Sequence, residues 1–377
     1  MRFTLKLVFS SVLAIGSATY LSSCSSSAEK SAETTTSANV AVPGTASEKT
    51  LTGQPPIIIG HRGASGEMPE ETLESYKLAI ERGADFIEPD LVPTKDGVLI
   101  ARHENNLTET TNVSVIFPKM KKTKTIDGKS VEGFFSEDFT FAQIQKLRAR
   151  ERVPQRNQSN NDKFKIIRLE DVLDLAKKES KRLGRPIGVY IETKHPTYFQ
   201  KIGLPLEDRL LKILKTYGYG KKTDPIFLQS FEIANLKYLR SKTQLRLVQL
   251  YDEGKESPFD TVAAGKSKTY SEMMTNEGLA EVATYADGIG PWKDLIIPQT
   301  ASKELTAPTD LIARAHKAGL LVHAYTFRND KPLLAKNYQD DPIKEFQTFF
   351  NLGIDGVFTD YPGTGVQARQ EWIQTLK

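Results

Sequence analysis

Seven polar residues stand where apolar runs end, and their types are those that move protons, bind anions or hold cations. His61 and Arg62 follow the run "IIIG" at 57–60. Glu88 and Asp90 lie two apart in "DFIEPDL" at 85–91, a spacing that turns both side chains to one face of a strand. Pro89 between them has no N–H to donate, which suits an irregular edge. The link "VPTKDG" leads into "VLIARH" at 98–103, and its Asp96-Gly97 pair signals a tight turn. A turn centred on Lys95-Asp96 sets His103 close to opposite Glu88. Glu192 and Lys194, again two apart, close the set in "YIETK".

A single glutamate at a strand end is more readily a solvated or salt-bridged loop residue than a ligand. Three carboxylates arriving together repel strongly unless a cation sits among them, and oxygen-only ligands favour a hard ion, Ca²⁺ or Mg²⁺. Such an ion, with two histidines and flanking Arg and Lys, suits phosphodiester cleavage. The cation and basic groups offset charge on the non-bridging oxygens, while one histidine takes a proton and the other gives one. Neither histidine need be a metal ligand for this.

These residues need a scaffold that gathers strand ends. Strand-like runs occupy 57–60, 85–91, 98–103, 187–193, 225–230, 245–251, 287–290, 320–327 and 355–360, and helical patterns at 71–83, 168–184, 231–241, 309–319 and 341–353 follow most of them. Alternation of this kind implies a parallel sheet covered by helices. The runs number nine, but the link between the second and third is too short for a parallel crossover, so 85–103 reads as one hairpin-like excursion. Eight strand-helix units remain, the pattern of an α/β TIM (β/α)8 barrel, with a doubly wound open sheet as the alternative. Residues 104–165 break the rhythm; they read as a small inserted subdomain with little strand pattern and one helix after Thr140, where "TFAQ" has capping-box spacing. Leaving from the catalytic mouth, this segment could roof the site.

Later strand ends carry Gln229, Phe231, Trp292 and Tyr325, which could wall a pocket for an alcohol group, aromatic faces attracting a choline-like cation, or could equally pack the core. His195 and His316 read as surface residues, and His323 as a hydrogen-bonded histidine inside the barrel.

With 377 residues, 39% of them apolar, the chain can bury a large core; a net charge of +4 with interleaved signs gives no nucleic-acid patch, and "KMKKTK" at 119–124 reads as a solvated loop. Residues 1–23 read as a signal peptide: Arg2 and Lys6 precede an apolar run from Leu7 to Leu21, too short for a spanning helix. "LSSC" resembles the lipobox of bacterial lipoproteins, which would make Cys24, the one cysteine in the chain, the acylated N-terminus. Residues 24–53 then form a flexible tether of about 30 Å reach, and 54–377 the working domain. The expectation is an exported periplasmic or cell-surface lipoprotein that meets the membrane only through its anchor.

From Ile57 to Pro362 the sequence resembles the glycerophosphodiester phosphodiesterases: "HRGASGEMPEET", "FIEPDLVPTKDGVLIARHENNL", "TETTNV", "YIETK", "LQSFE", "GIGPW", "HAYTFR" and "DGVFTDYP" occur in that family's order. The resemblance implies a TIM barrel that hydrolyses glycerophosphodiesters, such as glycerophosphocholine, to sn-glycerol 3-phosphate and an alcohol. It matches His61 and His103 to the acid/base pair, Glu88, Asp90 and Glu192 to the metal carboxylates, and Arg62 and Lys194 to the phosphate-facing cations. The long insertion is like that of the larger periplasmic members, which use Ca²⁺, whereas compact members often use Mg²⁺. One departure is Glu71, where the family commonly has Asn or His; its carboxylate reads as a helix N-terminal group or as a change in site charge. The attacking group implied is water or the substrate's own 2-hydroxyl. A lysophospholipase D or phospholipase C-like lyase on the same barrel, or a binding protein that does not cleave, are the alternatives.

Overall fold

The computed structural model describes residues 49–376. Cys24 and most of the expected tether lie outside them. Twelve strands are present among these residues: β1 (Ile57–His61), β2 (Phe86–Glu88), β3 (Asp90–Pro93), β4 (Leu99–Ala101), β5 (Lys122–Ile126), β6 (Lys129–Gly133), β7 (Gly188–Thr193), β8 (Ile226–Ser230), β9 (Arg246–Tyr251), β10 (Gly288–Pro291), β11 (Leu321–Phe327) and β12 (Gly356–Thr359). Neighbours pair in parallel around the order β1, β2, β7, β8, β9, β10, β11, β12, and β12 returns to β1. The ring is the closed eightfold barrel that the alternation of runs implies.

Pro89 breaks the second strand into β2 and β3, both of which pair with β7, while β3 turns back antiparallel as β4. The register Leu91↔Ala101 and Pro93↔Leu99 centres the turn on Asp96. Continued, it sets His103 across from Pro89, one residue from the expected partner Glu88. Regular pairing has ended at Ala101 by then, so His103 is freed from the ladder's alternation.

The barrel interior is filled by Ile59, Phe86, Tyr190, Phe227, Val248 and Phe358. Tyr190 stacks on Phe227 with ring centroids 4.6 Å apart. His323 lies among them, 2% exposed, with Nδ1 2.9 Å from Tyr190 Oη, as expected of a barrel-core histidine. A larger apolar layer joins the sheet to its helices. The helix Leu169–Leu183 shows why: Leu169, Val172, Leu173 and Ala176 recur at helical spacing and are buried. Asp171 accepts from the Arg168 N–H at its start, and Gly184 ends it at φ 65°, a left-handed position that glycine takes without strain.

The segment 104–165 holds the expected helix, Phe141–Ile144, whose Thr140 and Gln143 form the capping box. It also holds strands, contrary to expectation: β5 and β6 make a hairpin around Asp127-Gly128, both at positive φ. "KMKKTK" is therefore in part a strand, in which Lys122 and Lys124 pair with Asp138 and Glu137. Polar residues on both faces hid the period-two signal. Phe134, Phe139, Ile144 and Leu147 of this segment join the main apolar layer, anchoring it to the β3–β4 excursion. No helix among the described residues is long and apolar enough to cross a membrane.

Candidate active site

Parallel closure brings every strand's C-terminal end to one mouth, and register decides which side chains meet there. His61 pairs with Glu88, Asp90 with Glu192, and Glu192 with Gln229. Carboxylate oxygens of Glu88, Asp90 and Glu192 lie within 4.8 Å of one another, all three residues buried. His61, Arg62, Glu88, His103, Glu192, Lys194, Gln229, Phe231, Trp292 and Tyr325 line one cavity of about 420 Å³. The structure thus gathers the candidate catalytic, phosphate-facing and pocket residues named from the sequence, with Asp90 joined to them through its cluster with Glu88 and Glu192.

The chain after β1 is bent hard to make this possible. Arg62 has φ 57°, and its N–H donates to both the carbonyl and Oε2 of Glu88. Gly63 follows at φ 92°, where a Cβ would fall 2.3 Å from Ser75 Oγ, so only glycine fits. The Arg62 guanidinium pairs with Asp90 Oδ2 at 3.1 Å and Glu70 Oε2 at 3.2 Å, and Lys194 Nζ with Glu192 Oε1 at 2.9 Å.

Charge in this array is not balanced from within. Burial and the neighbouring carboxylates hold Glu88 well above the usual carboxylate range. Burial lifts Glu192 to about 8, although Lys194 opposes it. Burial also works against Asp90, but Lys194 and Arg62 hold it at about 2. Asp90 Oδ1 has no hydrogen-bond partner and Oδ2 is met only by the Arg62 ion pair, and Gln229, whose Nε2 donates to Glu88 Oε1 at 3.0 Å, leaves its own Oε1 without a hydrogen bond as well. Orphaned buried oxygens facing two more carboxylates are the donor set of a hard divalent cation.

Glu71 is neither a helix N-terminal group nor solvated. The helix Leu73–Glu81 begins two residues later, capped by Thr72, while Glu71 is 0% exposed, accepts from the Asp90 N–H at 2.9 Å and holds the Tyr76 hydroxyl. Its positive φ of 60° swings the side chain inward beneath the carboxylates. Burial, then Asp90, raises its pKa well above the usual range.

Each histidine has a carboxylate behind it. His61 Nδ1 donates to Asp360 Oδ1 at 2.6 Å, which leaves Nε2 with its lone pair. Burial and Arg62 lower His61 to about 4, so it is neutral at pH 7. His103, 30% exposed at its side chain, has Nδ1 3.3 Å from Glu104 and is lowered by burial and by Arg62. His195 is not a surface residue: it bridges Glu104 Oε2 at 2.8 Å and Asp127 Oδ2 at 2.5 Å, and these partners overcome burial to raise it to about 9. His316 is likewise drawn in, with Nε2 2.8 Å from Asp355.

Asp360, Glu104, Arg152 and Arg156 were not singled out by sequence reading. Asp360 directly follows the last strand in "DGVFTDYP" and so stood at a strand end like His61; the arginines, in an irregular insertion, carried no pattern.

Comparison with known proteins agrees with this geometry. The profile of the Glycerophosphoryl diester phosphodiesterase family matches residues 61–364. A glycerophosphodiester phosphodiesterase of Arabidopsis thaliana is 39% identical over 334 residues, 85% of this chain and 87% of that protein. One from Haemophilus influenzae is 34% identical over 333 residues, covering 82% and 89%. The crystal structure of a putative glycerophosphoryl diester phosphodiesterase from Silicibacter pomeroyi has the same fold, with a TM-score of 0.60 at 21% identity over 87% of this chain and 96% of that one. With a complete barrel and the convergent carboxylate and histidine set, the chain belongs to the glycerophosphoryl diester phosphodiesterase family.

Proposed function

We propose that the enzyme hydrolyses glycerophosphodiesters such as glycerophosphocholine to sn-glycerol 3-phosphate and an alcohol, using a divalent cation and the histidine pair. The observation that carries this reading is the buried Glu88, Asp90 and Glu192 cluster beside His61 and His103 at one cavity. Glu88, Asp90 and Glu192 would hold the cation, Ca²⁺ in preference to Mg²⁺ by likeness of the long insertion to larger family members. When bound, it supplies charge stabilisation to the phosphoryl oxygens.

Arg62 and Lys194 bind the phosphate and offset charge that grows on its oxygens. His61, its Nδ1–H tied to Asp360, accepts at Nε2 the proton of the attacking oxygen, and His103, charged as an imidazolium when the substrate's phosphate anion lies beside it, gives its proton to the leaving alcohol. Phe231 and Tyr325 meet edge to face with centroids 6.1 Å apart, and with Trp292 they wall the outer cavity where the alcohol sits. Two positioned proton-transfer groups exceed what a protein that only binds phosphodiesters requires.

The experiment is a product analysis. The metal-stripped protein is given glycerophosphocholine with Ca²⁺ or Mg²⁺ restored separately. Formation of sn-glycerol 3-phosphate and choline with one ion and not without it is expected; no product with either ion refutes the reading, and a cyclic phosphate as end product would make the enzyme a lyase.

The run before "LSSC" supports export and acylation at Cys24, placing the enzyme at a periplasmic or cell-surface face of a bacterial membrane. Cys24→Ser is then expected to move the protein from the membrane to the soluble fraction; unchanged partitioning refutes the anchor.

A further inference from the structure

The inserted segment reaches behind the site with one guanidinium. Arg156 has a side chain only 6% exposed, and its four contacts fall on three strand ends. Nη2 donates to Asp360 Oδ2 at 2.6 Å, after β12. Nε and Nη2 grip Asp330 at 3.2 and 2.8 Å, after β11. Nη1 donates to the Ser65 carbonyl at 3.1 Å, after β1. The guanidinium also lies over the Tyr361 ring, 5.6 Å from its centroid. These three strands are neighbours, and β1 among them ends on His61.

A carboxylate beside a histidine fixes the ring only if it is itself fixed, since an aspartate with one partner turns freely about its terminal bond. Asp360 has partners on both oxygens: Oδ1 takes His61, and Oδ2 takes Arg156 and, at 2.8 Å, Nε of Arg328. The two arginines differ. Arg328 is 28% exposed at its side chain and comes from the barrel's own β11 loop, while Arg156 is buried and ties that same loop to β1 and β12.

We propose that Arg156 is a positioning residue for the reaction: through Asp360 it holds His61 in the tautomer and orientation that present Nε2 to the substrate, which makes the insertion a working part of the active site. This rests on the reading of His61 as the proton acceptor. The insertion then has a catalytic reason to begin at Glu104 and return past Arg156, since it backs both histidines.

The test is a double-mutant cycle on the full-length enzyme with saturating metal and glycerophosphocholine, comparing Arg156→Gln, His61→Ala and both together, with thermal melts run beside it. Arg156→Gln is expected to lower kcat by about 10- to 100-fold with KM changed less than about threefold, Arg156→Lys to recover part of the loss, and the double variant to be no slower than His61→Ala alone. Wild-type kcat in Arg156→Gln, or an equal further loss on top of His61→Ala, overturns the proposal. Full activity in His61→Ala would instead overturn the reading of His61 beneath it. If Arg156→Gln does not fold, Asp330→Asn, which breaks the bidentate grip on Arg156, is put through the same cycle; it should lower kcat in the wild-type background and not in His61→Ala, and any other pattern counts against Arg156.

Discussion

Glu88 sits at the point where the site's electrostatics work against its own stability. Its carboxylate is 1% exposed and raised well above the usual range by burial and by Asp90, so ionising it at neutral pH without a cation is costly. Gln229 Nε2 and the Arg62 N–H approach its two oxygens, and a glutamine there would keep the shape while removing the charge. Glu88→Gln is therefore expected to melt, with chelator present, no lower than the wild type. It should also lack the rise in Tm expected of the wild type on addition of Ca²⁺, about 2.7 kcal/mol at a hundred times Kd. A melt series with and without the ion reads both effects. Glu71 shows how far sequence reading carries at this scale: its departure from the family pattern was visible, but its burial against Asp90 depends on a positive φ that no residue type announces.

At the scale of elements, the β5–β6 hairpin is held to the barrel by a charge that titrates. His195 leaves β7 at φ 47° and grips Asp127 in the hairpin turn. Its pKa is raised, to about 9 against an ordinary 6.5, so the stability it contributes is fully present below pH 6.5 and is lost as pH rises through 9. Hydrogen-exchange protection across 122–133, corrected for intrinsic rates, is expected to fall between pH 7 and 10. In His195→Gln it should be low throughout, with the global Tm little changed. The hairpin escaped the sequence because strand signals are apolar alternation, and here Lys and Thr in β5 and Lys, Ser and Glu in β6 face outward. The barrel strands were legible for the opposite reason: buried on both faces, they read as short β-branched runs.

The whole molecule is stabilised by closure around an aromatic interior, and His323 makes that interior sensitive to acid. Burial lowers it to about 4 from 6.5, so its native state is neutral; the associated stability is present above pH 6.5 and is lost as pH falls through 4, about 3 kcal/mol for this group alone. Melts between pH 7 and 4.5 should show His323→Gln starting lower than the wild type and losing less on acidification. His61, also lowered to about 4, adds to the wild-type slope and remains in the variant. Fold and first contacts were legible because each strand end carries its own signal in a few consecutive residues. The support behind them was not: His61 and Asp360 lie 299 positions apart, and only closure of β12 onto β1 makes them neighbours.

The central claim is that His61 moves a proton and does not hold the metal, and it is tested most directly by measuring His61→Ala for turnover and for ion binding on one preparation. Release of sn-glycerol 3-phosphate from glycerophosphocholine is expected to fall by about 100-fold or more, while Ca²⁺ is expected to raise the melting temperature of variant and wild type alike. Turnover that survives, or a thermal response to the ion that disappears with it, would contradict the account.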